Sequence, residues 1–339
     1  MSVTMRDIAR DLNVSVVTVS KVLRNHPDIS PATRERVLKR VKELHYQPNW
    51  AARSLVTGQS YSIGLVVPTV THPFFAEVAK GISRKIRRKG YSLVVSSSEE
   101  DAELEKMEIE HLLARQTDAL IIASVQTSVE NFLHIQERGV PYVLIDRKFA
   151  GLNSNYVGVD NEEIGRLATD HLIQNGFRRI AHICGPEIST ALGRLKGYRN
   201  TLAKHGLKAL LGYVVQGRSC DEEPEESGYE AMQKLLATKP LPDAVFCFND
   251  PLAIGAMKAI YEAGLRVPQN IALIGAGNLR FNEVLRTPLS SVDQGSISTG
   301  EKAATLALQI IKRKGSVRTL EILLPPKVVA RASSLRARR

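Results

Sequence analysis

Residues 4–25, TMRDIARDLNVSVVTVSKVLRN, read as two short helices joined by a tight turn. Thr4 is placed to cap the first helix, which runs to about Leu12, with Asp7 returning the cap and Ile8 and Leu12 on the inner face. Asn13-Val14 makes the turn and Ser15 caps the second helix. There Val19, Val22 and Leu23 fall together at spacings of three and four, the inward stripe of an amphipathic helix. Val16 and Val17 do not belong to that stripe; they point outward, among Ser15, Thr18, Ser20 and Lys21. The stretch 30–46, SPATRERVLKRVKELHY, restarts with Ser30 as cap, Pro31 at the first helical position, and Val37, Val41 and Leu44 as its apolar face. Residues 1–46 are thus expected to form an all-α domain containing a helix-turn-helix.

Such a motif reads DNA by laying its second helix in the major groove, with residues near the helix start against base edges. Val16, Val17 and Lys21 hold that face, and the flanking hydroxyls suit phosphate oxygens. Outward valines then have a use, as apolar contacts to thymine methyls. The competing reading packs them against another part of the protein. Charge favours a polyanion partner: the chain carries +11 overall, and residues 1–60 hold ten Lys and Arg against five Asp and Glu.

From Tyr61 the pattern changes to strand, helix, strand, helix. YSIGLVVP, YSLVVSSS, DALIIAS and PYVLIDR are short apolar runs separated by helical stretches, and RIAHICGP, GYVVQG, DAVFCFND and IALIGAGN repeat the alternation. The expected core is α/β: two doubly wound parallel-sheet subdomains, about 61–159 with 295–317 and about 160–291 with 319–333, followed by a basic tail at 334–339. Two such units side by side make a cleft at the carboxyl ends of their strands, where small ligands bind. His72, Phe74 and Phe75 follow the first strand, Asp146 and Arg147 the fourth, and Asn249 and Asp250 the strand AVFCFND. Thr190, Arg194, Asn278 and Gln294 complete the candidates, and for each the plainer reading is a surface or subdomain-interface contact. Cys184, Cys220 and Cys247 lack the paired spacing of a metal or redox site, so no metal and no cofactor are expected. A charged N-terminus and the lack of a long apolar run point to a cytoplasmic protein with no membrane partner.

The headpiece motifs, continued through VSKVLRNHPDISPATRERVLKRVKELHYQPNWAARSL, resemble the lactose/galactose repressor (LacI/GalR) family almost position for position. The resemblance extends over the whole chain, because that family joins this headpiece to a duplicated α/β core similar to the periplasmic sugar-binding proteins. It implies Val16, Val17 and Lys21 at base-reading positions, and Thr4, Ser15, Thr18, Ser20, Ser30 and Thr33 near phosphates. Residues 47–60 correspond to the family's hinge helix, with Asn49, Ala52 and Leu55 facing DNA and Leu55 as the wedge between base pairs. Pro48-Asn49 can start that helix and Gly58 end it, and two turns alone are unstable in water, so it is expected to order only on DNA beside its twin. Arg194 matches a family arginine that hydrogen-bonds the effector. One departure stands out: GAGN at 275–278 lacks, at Gly277, the carboxylate with which the family commonly grips sugar hydroxyls. With Arg147, Arg194 and Arg280 in the neighbourhood, an acidic or phosphorylated sugar competes with a neutral one. The run from TLEILLPPKVVARAS to SLRARR has no apolar heptad, so a homodimer is expected.

An effector-controlled repressor of operator DNA, not an enzyme, is therefore expected, with a corepressor-dependent regulator as the alternative. An enzyme is disfavoured by the lack of a phosphate loop, a nucleophile elbow or a metal-spaced His/carboxylate cluster. A solute-binding protein would leave the basic headpiece without a use.

Overall fold

The computed structural model describes residues 3–23, 25–46, 58–149, 151–312 and 319–336. The chain divides into two units, Met1–Ser60 and Tyr61–Arg339. In the first, α1 (Met5–Asp11), α2 (Val16–Leu23) and α3 (Pro31–Glu43) close on a small core of Ile8, Ala9, Val19, Val22 and Val37. Each helix start is fixed by its own sequence. At α1 the Asp7 amide donates to Thr4 Oγ1 at 3.3 Å and the Thr4 amide donates to Asp7 Oδ2 at 3.0 Å, a reciprocal cap. Ser15 accepts from the Thr18 amide at 3.0 Å and Ser30 from the Thr33 amide at 3.3 Å. Helix α1 ends at Asp11, leaving Leu12 as a half-buried cap, and Asn13 takes the left-handed turn with φ 52°.

In the second unit, β1 (Ser62–Val67), β2 (Ser92–Ser97), β3 (Ala119–Ile122), β4 (Tyr142–Ile145), β5 (Asn155–Val159) and β11 (Glu321–Leu324) form one six-stranded sheet in the order β11-β5-β4-β3-β1-β2. All its pairings are parallel. The second sheet takes β6 (Ile180–Cys184), β7 (Val214–Gln216), β8 (Ala244–Cys247), β9 (Ala272–Ala276), β10 (Ser290–Asp293) and β12 (Lys327–Val329) in the order β12-β10-β9-β8-β6-β7, parallel but for the antiparallel β10–β12 edge. Central strands such as Ala119–Ile122 and Ala244–Cys247 are buried throughout, because α4 (Pro73–Arg87), α5 (Ala102–Ala114) and α6 (Glu130–Glu137) cover the first sheet together with α11 (Ser296–Lys312). The second is covered by α7 (Asn161–Gln174), α8 (Ser189–Lys204), α9 (Pro224–Leu236) and α10 (Asp250–Glu262).

The sheets correct two of the expected boundaries. Strand β11 pairs with β5, Ile322 opposite Val157, so Glu321–Leu324 belongs to the first subdomain and the last crossing lies between Leu324 and Lys327. Two apolar strands a few residues apart look alike in sequence, and only the free sheet edge each finds tells them apart. Ser334 is not tail: it is fully buried, within 2.6 Å of His171 Nε2 and 2.7 Å of Ser290 Oγ.

Helices α7 and α8 meet backbone to backbone. A Cβ at Gly165 would stand 2.1 Å from the Arg194 carbonyl oxygen, and one at Gly197 would stand 2.0 Å from that of Glu162. This close approach sets the position of α8, and with it of Arg194.

Candidate functional site

On the headpiece, the capped start of α2 presents Val16 and Val17 at 38% and 61% exposure while Val19 and Val22 are buried beneath them. Two apolar side chains are thus held in water by a helix whose inner face is already satisfied. Thr4, Ser15 and Ser30 spend hydroxyl contacts on their own helix starts, and Ser15 and Ser30 also pair with the Thr18 and Thr33 hydroxyls at 2.8 and 2.9 Å. Their effect is to aim helix N-termini, which attract anions such as phosphate. Ser20 is half-buried on α2. Lys21 turns to Asp28, Nζ to Oδ2 at 2.5 Å, and the hydrogen bonds from Lys21 and, less strongly, His26 hold the Asp28 carboxyl below its usual range. Asn49, Ala52 and Leu55 lie outside the described residues.

In the core, the carboxyl ends of the two sheets face each other and the candidates converge there. Arg194 is the centre. It is 2% exposed, and its Nε donates to Asn161 Oδ1 at 3.0 Å, Nη1 to the Phe248 carbonyl at 2.5 Å and Nη2 to Gln294 Oε1 at 2.8 Å, with the guanidinium carbon 4.3 Å from the centre of the Phe248 ring. Burial lowers its pKa, and Asp146 is the strongest of the carboxylates opposing that. Asn249 caps α10 by accepting from the Leu252 amide at 2.9 Å and donates to the Cys220 carbonyl at 2.8 Å. His72 caps α4, its Nδ1 accepting from the Phe74 amide at 3.2 Å, and its Nε2 lies 3.4 Å from Asn249 Nδ2 across the cleft. Burial takes the His72 pKa down to about 4, so the ring is neutral. Asp146 follows β4 in the left-handed region, φ 60°; burial pushes its carboxyl up while Arg147 and Arg194 pull it down. Backbone strain of this kind collects at ligand sites. Thr190 is buried with no hydrogen-bond partner for its hydroxyl among the described residues.

Three expectations change. Phe74 and Phe75 are buried with Ile63, Leu65 and Val78 in the first subdomain's core, so the stacking face offered by sequence is chiefly packing, with only the Phe75 ring near His72 at 5.6 Å. Asn278 is engaged within its own subdomain: its amide donates to Ser291 Oγ at 2.8 Å and its Oδ1 accepts from Arg331 at 2.8 Å. Arg280 is exposed at the start of a short 3-10 turn, Arg280–Glu283, rather than buried with Arg147 and Arg194. The space beside Gly277 holds the Asp250 carboxylate, 3.2 Å from where a Cβ would stand, and that carboxylate is consumed by the Leu279 amide, Asn282 and Ser291 at 2.9, 2.8 and 2.6 Å.

The structure also brings in residues that sequence reasoning missed. Asp221 pairs with Arg147, Glu100 accepts from Ser219 at 2.8 Å, and Asn161 reaches Arg194. The loop RSCDEEPEE has no periodicity, and nothing in it distinguishes one carboxylate from another. Glu100, Cys220 and Asp221 bring ligand-type atoms within 4.8 Å of one another, but the Arg147 guanidinium supplies the positive charge there, so the donor set does not call for a metal.

Comparison with known proteins bears on both units. Residues 4–49 match the family model "Bacterial regulatory proteins, lacI family", and residues 60–330 match "Periplasmic binding proteins and sugar binding domain of LacI family". The HTH-type transcriptional repressor PurR of Haemophilus influenzae (strain PittEE) is 33% identical over 97% of this chain and 98% of its own. A lac repressor dimer bound to operator and the anti-inducer ONPF superposes with a TM-score of 0.86 at 28% identity, covering 99% of this chain and 100% of that one. The transcriptional regulator CelR in complex with cellobiose gives 0.74 at 30% identity, covering 98% and 99%.

Proposed function

Because the chain belongs to the LacI family of bacterial regulatory proteins, we propose that it is a homodimeric transcriptional repressor of the cytoplasm, without enzymatic activity. Its two headpieces read the halves of a palindromic operator, and a small sugar-like effector bound in the core cleft releases it. The observation that carries the reading is the exposed pair Val16 and Val17 at the capped start of α2, above a core that is already closed. Val16 and Val17 take thymine methyls and Lys21 leaves Asp28 for a base edge or phosphate. The N-termini of α1, α2 and α3 lie along phosphates, and Asn49, Ala52 and Leu55 widen the minor groove at the centre.

In the cleft, Arg194, Asn249, Gln294 and Asp146 hold polar groups of the effector, with Thr190 and His72 supplying further hydrogen bonds. A ligand that favours one spacing of the two subdomains biases the spacing of the headpieces in a dimer, which is what couples the sites.

Selection from randomised DNA tests the headpiece assignment. Val16→Ser with Val17→Ser is expected to change the preferred base pairs while non-specific affinity and its steep salt dependence persist. An unchanged preference would remove both valines as readers. Sedimentation at two chains per particle is the expected mass, and a monomer on operator would overturn the dimer.

A further inference from the structure

An ion pair joins the two subdomains across the cleft. Arg147 follows β4 of the first sheet, and Asp221 lies in the loop between β7 and α9 of the second. Arg147 is 5% and Asp221 6% exposed, and the pair is monodentate, Nη2 to Oδ2. The rest of the guanidinium is poorly used: Nη1 donates to the Ser124 carbonyl at a long 3.3 Å, and Nε has no hydrogen-bond partner among the described residues, with Asp146 Oδ2 4.0 Å away. An arginine presents a planar fork that matches an oxyanion with two parallel hydrogen bonds, and a buried donor without a partner is costly. Thr190, buried with a hydroxyl that has no partner among the described residues, lies in the first turn of the helix that carries Arg194. The cleft therefore holds a cation whose hydrogen-bonding capacity its own carboxylate does not fill.

The backbone beside Asp221 is held in place, the Cys220 carbonyl by Asn249 at 2.8 Å and the Ser219 hydroxyl by Glu100 at 2.8 Å, so displacement falls to the Asp221 side chain, with the exposed Arg218 and Glu223 beside it. Arg147, by contrast, is anchored: Glu105, buried, accepts from the Ser124 hydroxyl and from the Val125 amide at 2.6 Å, fixing the loop whose carbonyl Arg147 uses. If the carboxylate turns away, Arg147 loses its direct partner and keeps only Asp146 and Glu100 as neighbouring carboxylates.

We propose that Asp221 is an internal stand-in for the effector's anionic group: the effector carries a carboxylate or phosphate that displaces Asp221 and takes both edges of the Arg147 fork. This inference rests on the regulator reading above and deepens it by naming the ligand class. Asp221 is then a specificity residue. A neutral sugar cannot replace the carboxylate without leaving Arg147 buried with Asp146, 4.0 Å away, as its nearest carboxylate, whereas an oxyanion exchanges one counter-charge for another.

The test uses the full chain and two anion probes, inorganic phosphate and acetate, with glucose as the neutral control. Asp221→Asn keeps the shape of the side chain but removes the competing charge. In that variant at least one anion is expected to raise the melting midpoint at a concentration tenfold or more below that needed with the unaltered chain, and phosphate against acetate shows which group the cleft favours. Adding Arg147→Gln to Asp221→Asn is expected to abolish the gain, and glucose is expected to act equally on all three. Asp221→Ser serves where the asparagine variant folds poorly, with circular dichroism as the check. Equal anion response with and without Asp221, or a gain that survives the loss of Arg147, would overturn the proposal. Operator binding measured on the same samples keeps the two readings apart: loss of DNA binding by the unaltered chain would sink the regulator, while the anion result would stand or fall by itself.

Discussion

In the headpiece Val16 and Val17 stand in water, while in the core Arg147, Arg194 and Asp250 are taken out of it. Both arrangements invert the ordinary partition of side chains: the valines and the two arginines lie where DNA and effector are proposed to bind, whereas Asp250 serves its own subdomain. They differ in what holds them. The headpiece needs only local devices, caps and a five-residue core, to keep two valines outward. The core needs partners brought from far along the chain: Arg194 depends on Asn161, Phe248 and Gln294, spread over more than a hundred residues. Substitutions in the core are therefore expected to cost stability as well as response, and substitutions on the headpiece surface to change response alone.

The largest effect is expected from Arg194→Ala, which leaves the Gln294 and Asn161 oxygens and the Phe248 carbonyl without their donor. Each buried acceptor left unpaired costs about 1–3 kcal/mol, and chemical denaturation of the core measures the total. A loss below 1 kcal/mol would break the contrast. A similar scale applies to acid. His72 and His182 both have pKa values lowered to about 4 by burial, against about 6.5 in the unfolded chain. Between those values the unfolded state binds the extra proton, so stability is complete above about pH 6.5 and is lost as the pH falls toward 4, by roughly 3 kcal/mol for each ring. Denaturation midpoints across that range, steeper in the unaltered chain than in His182→Asn, check it.

Gly165→Ala is expected to come next. Its methyl would meet the Arg194 carbonyl at 2.1 Å, so α7 and α8 must part, at about 1–3 kcal/mol and with Arg194 displaced. Denaturation together with effector response distinguishes this from a merely tolerated methyl. Thr4→Ala removes the α1 cap and is expected to cost about 1 kcal/mol, seen as faster amide exchange confined to the headpiece. The smallest stability change is expected from Val17→Ser, near zero, with its whole effect in base preference. If that variant destabilised the headpiece, Val17 would be packing against protein and the contrast would fail.

The caps at Thr4, Ser15 and Ser30, the inward stripe at Val19 and Val22 and the outward valines were legible in sequence because each rests on contacts within four residues. The same holds for central strands such as Ser62–Val67 and Ala272–Ala276, whose apolar runs need both faces covered whatever covers them. What sequence missed depends on partners that no local pattern names. Ile322 shows nothing of which sheet its strand joins, and Ser334 looks like tail until Ser290 and His171 are beside it. Phe74 and Phe75 read as a ligand face until the packing around α4 claims them. Arg147 and Asp221 are 74 residues apart, and only the closing of one sheet on the other makes them a pair. Periodicity and capping are carried by neighbours in the chain and so can be read from it; edge pairing, burial of a charge and the choice of its counter-ion are set by neighbours in space, which tertiary structure alone supplies.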